Sequence, residues 1–333
     1  MIYRFCAFMA TLTRMLFYRK IYINKPEVLK KPGPIILACT HPDAFIDGVT
    51  LCSLFDVPVH ILTRGDVFKK PRARKILEAI NAIPIYRLSE GKENLSLNDE
   101  TFNASKSVMI NKEAVLIFSE GLCINEWKLR PLKKGTARLA FQGWNHPQIG
   151  HDLIVQPVGI SISSYRLFGK RLILKFGEPI TANQFESTEM NGKNILKFNQ
   201  LLYEQLKPNI VEKPGDISDL AFENQFHRGD FEMFKAVKGS SKVLYYILLG
   251  LPALLGFLLN APLFFPVKNL AAKFTKNSVF YDSVFFGMLL VTYPIYCILI
   301  AIIVGAYCGW CWALATFVLL PLLGKATSVL KNI

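Results

Sequence analysis

The chain has 333 residues, 51% of them hydrophobic, and 39 Lys and Arg stand against 25 Asp and Glu, a formal charge of +14. That apolar share excludes a purely soluble globular protein and a disordered one. The seven cysteines follow no disulfide-framework spacing, which excludes a small secreted scaffold and implies a reducing compartment. The positive excess needs anionic partners. No signature of a nucleic-acid-binding module is present, so it implies a lipid surface and phosphate-bearing substrates, with part of the charge acting as a topology signal.

Residues 1–30 open with Ile2, Phe5, Met9, Leu12 and Leu16 at helical spacing, and Arg4, Thr11, Arg14 and Tyr18 fall on the other side. The pattern predicts an amphipathic helix at a bilayer interface, although the same stripe also suits packing on protein. Arg14, Arg19 and Lys20 interrupt or close the apolar run, against a signal peptide. From 31 to 212, short apolar runs alternate with amphipathic segments. Strands are predicted at 35–38, 59–62, 83–86, 114–118, 153–161 and 172–176, with helices at 44–54, 72–79, 101–112, 136–143 and 194–206. This is an α/β pattern, a mixed sheet flanked by helices. Residues 213–242, rich in Pro, Gly and Ser, read as a connector.

The remainder, 243–333, reads as an α-helical membrane region. No charged residue or His occurs in 243–265 or in 284–324, and a bilayer core needs about 20 such residues per helix. The second stretch is long enough for a hairpin. A full crossing by the first would put Lys268, Lys273 and Lys276 on the far side, against the positive-inside rule. A re-entrant or interfacial first segment is therefore predicted, with both ends and the α/β domain on the cytoplasmic side of the membrane. Cys308 and Cys311 lie in an apolar span without His or carboxylate neighbours, and helix packing is expected for them rather than metal binding.

The densest chemical signal is Cys39-Thr40-His41-Pro42-Asp43-Ala44-Phe45-Ile46-Asp47-Gly48, between a predicted strand and a helix. Open α/β sheets present reactive groups at strand ends. An imidazole there accepts a proton near neutral pH, and a carboxylate on its other nitrogen fixes the tautomer. Asp43 and Asp47 both compete for that role. Asp47 is favoured, because Asp43 directly after Pro42 suits capping of the helix.

This stretch resembles the first motif of the glycerolipid acyltransferase family. Ile83-Pro84-Ile85-Tyr86-Arg87 resembles its second block, Phe118-Ser119-Glu120-Gly121 its third and Val155-Gln156-Pro157-Val158-Gly159 its fourth, in order across 35–179. Five residues separate His41 from Asp47, one more than the usual spacing, and Ser119 and Leu122-Cys123 replace the usual Pro and Thr-Arg. The resemblance implies His41 as general base, Asp47 as its orienting carboxylate, and a mechanism with no acyl-enzyme, metal or cofactor. It implies acyl-CoA or acyl-carrier protein as donor and glycerol 3-phosphate or its 1-acyl derivative as acceptor. A lyso-aminolipid is a further option, because the third block lacks its expected Arg.

Substrate binding falls to Arg64, Arg87, Glu120, Gly121, Lys133, Lys134 and Arg138, cations suited to a phosphomonoester. Glu120 either holds acceptor hydroxyls or pairs with a neighbouring Arg. Two rivals remain. A serine hydrolase would use Gly159-Ile160-Ser161-Ile162-Ser163, which lacks the last glycine of a nucleophile elbow. A non-catalytic membrane scaffold would be built on the C-terminal spans.

Overall fold

The structure is a computed structural model that describes residues 2–86, 97–228, 242–276 and 278–330. Seven strands, β1 Tyr18–Ile23, β2 Ile35–Cys39, β3 Val59–Arg64, β4 Ala82–Ile85, β5 Ala114–Phe118, β6 Ile154–Ile162 and β7 Lys170–Phe176, form one sheet in the order β1-β7-β6-β2-β5-β3-β4. Neighbours run parallel except β6 and β7. All five residues of β2 are buried, the unbroken apolar run expected of a parallel strand covered on both faces. His41 follows it directly, between the ends of β5 and β6.

One face of the sheet is covered by α4 Asn98–Ile110, α5 Gly135–Trp144 and α6 Gly192–Leu206, which bury Met109, Phe141, Phe198 and Leu202 against it. The other face carries α1 Ile2–Phe17 and α2 Ala44–Cys52, with α3 Pro71–Ala79 nearby on the surface. The same core continues into the ends of two long helices, α8 Lys242–Thr275 and α9 Tyr281–Cys308: Phe17, Ile46, Val267, Ala271, Phe285 and Phe286 belong to one buried cluster. The apolar C-terminal part is thus bonded to the sheet by a shared core.

Three differences from the sequence reading have identifiable causes. No strand was predicted before residue 35, but β1 pairs parallel with β7 at the sheet's edge. Its Arg19 and Lys20 hid a short edge strand, and charge is what edge strands tolerate. The connector contains α7 Asp219–Arg228, whose Phe222 and Phe226 are fully buried in a small cluster with Trp127 and Tyr165. The first apolar segment does not end at 265. α8 continues to Thr275 with Pro252, Pro262 and Pro266 inside it.

The second apolar stretch forms α9 and α10 Trp310–Leu330, joined at Gly309 in the left-handed region (φ 92°). Helices α8, α9 and α10 are each long and apolar enough to cross a membrane. Leu251, Leu254, Ile302, Ile303, Leu314 and Val318 are exposed on them. Cys308 and Cys311 are exposed at the α9–α10 turn and not packed between helices as expected. On α1 the stripes are also rearranged: Ala10, Thr13, Leu16 and Phe17 face the protein, while Phe5, Phe8, Leu12 and Met15 are exposed.

Gly159 of β6 holds the sheet against the turn after α6, where an added Cβ would lie 2.1 Å from the Asn209 carbonyl oxygen. Backbone cannot rotate away as a side chain can. Gly159→Ala is expected to destabilise the fold by about 1–3 kcal/mol or more, read as a lower thermal midpoint of the detergent-solubilised protein.

Candidate active site

His41 leaves β2 with its ring stacked on Phe118 of β5, centroids 3.6 Å apart and planes at 12°. Its Nδ1 lies 3.1 Å from Asp47 Oδ2, and that same oxygen accepts the backbone N–H of Asp43 at 2.7 Å. Between them Ala44 has a φ of 49°, a left-handed conformation that costs a non-glycine residue about 1 kcal/mol. This bend turns the chain so that the first turn of α2 brings Asp47 back to the imidazole. Asn125 and Cys123 clamp the loop from outside: Asn125 Nδ2 donates to Pro42 O at 2.8 Å, and Ala44 N donates to Cys123 Sγ at 2.8 Å.

Asp43 does not cap α2, contrary to expectation; no side-chain cap hydrogen bond forms. Its carboxylate instead turns inward, 3.5 Å from Lys170 Nζ at the start of β7. Lys170 is fully buried and also pairs with Asp282 of α9. The next residue, Ser283, accepts from Ile46 N at 3.0 Å and donates to Asp43 O at 3.2 Å. The head of a membrane-length helix therefore holds both the backbone and the counter-charge of the His41 loop. Burial pushes the Asp43 carboxyl up to about 7, with Lys170 pulling it down and Asp47 adding repulsion. Burial also raises Asp47, opposed by the Asp43 N–H and Lys170, and it lowers Lys170 against the pull of Asp43. These are the shifts that desolvation imposes on carboxylates and an ammonium confined together.

Beside Thr40 and Pro42 lies a small, open cavity whose walls include Glu120, Trp127, Lys128, Arg130, Ser161 and Tyr165. Arg130 ties this wall together: it donates to Glu120 Oε2 from Nε at 3.0 Å and from Nη2 at 2.5 Å, to Leu122 O at 2.7 Å and to His41 O at 3.4 Å. Glu120 is thus paired with an arginine, the second of its two sequence readings. Burial raises its carboxyl while Arg130 opposes the rise. Arg130 Nη1 is buried with no hydrogen-bond partner, a donor directed at nothing within the described protein. Gly121 has a φ of 66°, and an added Cβ would lie 2.9 Å from Lys133 Cγ, so glycine is required by both backbone and space.

The other predicted cations are dispersed. Lys133, Lys134 and Arg138 are exposed, and none of them lines this cavity. Arg64 forms a two-pronged bond with Asp66 at the partly exposed end of β3. Arg87 lies outside the described residues. Ser161 is buried in β6, where its Oγ accepts from Val211 N at 2.8 Å, unlike a nucleophile on an exposed elbow. Sequence reasoning did not single out Arg130, and it missed Lys170, Asp282 and Ser283. The available signal was Asp282 itself, a carboxylate at the head of an otherwise charge-free helix.

Residues 20–161 match the family model described as Acyltransferase. Among solved structures the chain is similar to the 1-acyl-sn-glycerophosphate (LPA) acyltransferase PlsC from Thermotoga maritima, with 15% identity over 62% of this chain and 78% of that one and a TM-score of 0.43. No curated protein matches the chain.

Two measurements probe the buried charges. Lys170→Met leaves Asp43 and Asp282 desolvated without their cation and is expected to cost about 3–5 kcal/mol; adding Asp282→Asn should recover part of that loss, a non-additivity readable in paired thermal melts. Asp43 binds a proton in the folded state at pH values where the unfolded chain has released it. Its raised pKa therefore contributes stability below about pH 4 that is lost as pH rises through about 7. Asp43→Asn should flatten the thermal midpoint across that window, and an unchanged slope would mean that Asp43 does not titrate there.

Proposed function

We propose that this chain, whose residues 20–161 match the family model described as Acyltransferase, moves a fatty acyl group from a thioester to a hydroxyl of a glycerol-phosphate-type acceptor at a membrane surface. The observation that carries the reading is the Nδ1–Oδ2 contact of 3.1 Å between His41 and Asp47, set at the carboxyl end of an interior strand.

With Nδ1–H donated to Asp47, Nε2 is the basic nitrogen. It takes the acceptor's hydroxyl proton as that oxygen attacks the thioester carbonyl carbon. The tetrahedral intermediate then expels the thiolate, and the imidazolium returns the proton to sulfur. An acyl ester and a free thiol result, and the base is regenerated. A thioester is already activated, so positioning and proton transfer account for the chemistry. The partnerless Nη1 of Arg130, with Lys128 on the same wall, offers the charge-assisted donors that an acceptor phosphate needs. Arg130 occupies the role expected for Lys133, Lys134 and Arg138, and it supports a phosphorylated acceptor over a lyso-aminolipid. The three membrane-length helices support a bilayer location for donor and acceptor alike.

Purified protein incubated with labelled acyl-CoA and either glycerol 3-phosphate or 1-acylglycerol 3-phosphate tests the reading directly. His41→Ala should lower kcat by roughly 10²–10⁴, the usual worth of a general base, and Asp47→Asn should lower it by a smaller factor. Arg130→Gln combined with Glu120→Gln, which avoids a lone buried carboxylate, should raise KM for the phosphorylated acceptor about tenfold or more and leave KM for the thioester unchanged. Full turnover by His41→Ala would end the proposal.

A further inference from the structure

Asp43 stands at the N-cap position of α2, yet its side chain makes no cap hydrogen bond. A capping side chain ordinarily accepts the N–H of the second or third helical residue. In α2 the third is Ile46, and its N–H is accepted at 3.0 Å by Ser283 Oγ, from the first turn of α9. The cap is supplied in trans, by a residue 237 positions further along the chain.

The same hydroxyl donates to Asp43 O at 3.2 Å. A Ser or Thr inside a helix can donate to the carbonyl one turn back, as Thr275 of α8 and Thr292 of α9 do; Ser283 reaches across to another element instead. The Asp43–Ala44 peptide is thereby held at both edges, its carbonyl by Ser283 and its N–H by Cys123 Sγ at 2.8 Å. Ala44 has a φ of 49°, and a strained residue of this kind persists only where its surroundings over-determine it. Ser283 is itself fixed on either side. Asp282 pairs with Lys170, and Phe285 and Phe286 are buried in the core that also holds Ile46.

What this clamp controls is Asp47. The carboxylate follows Ile46 in the turn that Ser283 caps, and its Oδ2 meets both the Asp43 N–H and His41 Nδ1. Both bonds of Ser283 therefore adjoin the groups that aim Asp47 at the imidazole. Neither Ser283 nor Cys123 lines the cavity beside Thr40 and Pro42, so their loss would disturb the base without removing a substrate contact there. We infer that Ser283 is a positioning residue of the transfer reaction, a helix cap from α9 that, opposite Cys123, holds the strained turn in which Asp47 meets His41. The inference rests on the acyl-transfer reading and adds to it an element outside the α/β domain.

The full chain in detergent is assayed with labelled acyl-CoA and glycerol 3-phosphate or 1-acylglycerol 3-phosphate, whichever the wild type turns over. Ser283→Ala should lower kcat about tenfold, the effect of one hydrogen bond, and leave KM for both substrates unchanged. Amide exchange should quicken in it over residues 44–52. Cys123→Ala frees the other edge of the same peptide and should lower kcat by a similar factor. Because either change releases one turn, the double variant should lose less than the product of the two single losses. Wild-type kcat or unchanged exchange in Ser283→Ala, a raised KM that accounts for its loss, or fully multiplicative losses would each overturn the inference and leave the acyl-transfer reading intact. Absent turnover in the wild type, or full turnover in His41→Ala, would overturn that reading and this inference with it. Should Ser283→Ala fail to fold, Cys123→Ala decides, and wild-type kcat in it overturns the clamp.

Discussion

Two carboxylates buried four residues apart in one loop are the constraint on which the rest of the structure depends. Asp43 and Asp47 are both out of water beside His41, and neither the loop nor α2 supplies a cation. The compensation is Lys170, from the start of the second-to-outermost strand. It is shared with Asp282 from a helix that begins more than a hundred residues later. Such an arrangement persists only if the sheet, the β6–β7 turn and the head of α9 are all in place, since a buried charge that loses its partner is strongly destabilising.

This explains why the apolar C-terminal helices are not a detachable anchor. Ser283 bonds the loop backbone on both sides, at Ile46 N and Asp43 O, and Phe285 and Phe286 enter the same core as Ile46 and Phe17. The membrane-length helix α9 is the element that fixes the His41 loop, so the loop is positioned relative to the apolar helices by direct bonds and by packing, with no flexible tether between them. The electrostatics divide accordingly: the buried network orients the imidazole from below, and Arg130 with Glu120 closes the opposite wall and leaves one guanidinium nitrogen without a partner.

Much of the sheet was legible because parallel strands covered on both faces announce themselves as unbroken apolar runs, as Ile35–Cys39 and Ala114–Phe118 do. The edge strand β1 was not, because its alternation is broken by charges that an edge accepts. Helix α7 was missed for a related reason: its two anchors, Phe222 and Phe226, form too short a stripe to outweigh the polar residues around them. The length of α8 was misjudged because Lys268 and Lys273 were read as the end of an apolar segment, and a helix can carry lysines along an exposed face.

The sequence by itself determined the α/β character of residues 31–212, the apolar helices after them, and the pairing of a histidine with a carboxylate one helical turn into α2. Each of these is a local pattern: a period, a run, or a spacing along a few residues. Only the tertiary structure decided that Asp43 faces Lys170 rather than capping its helix, that Arg130 rather than Lys133, Lys134 or Arg138 lines the cavity, and that Asp282 and Ser283 belong to the same loop network. The physical reason is desolvation. Which charges must pair is set by which are buried together, and burial depends on how distant segments pack.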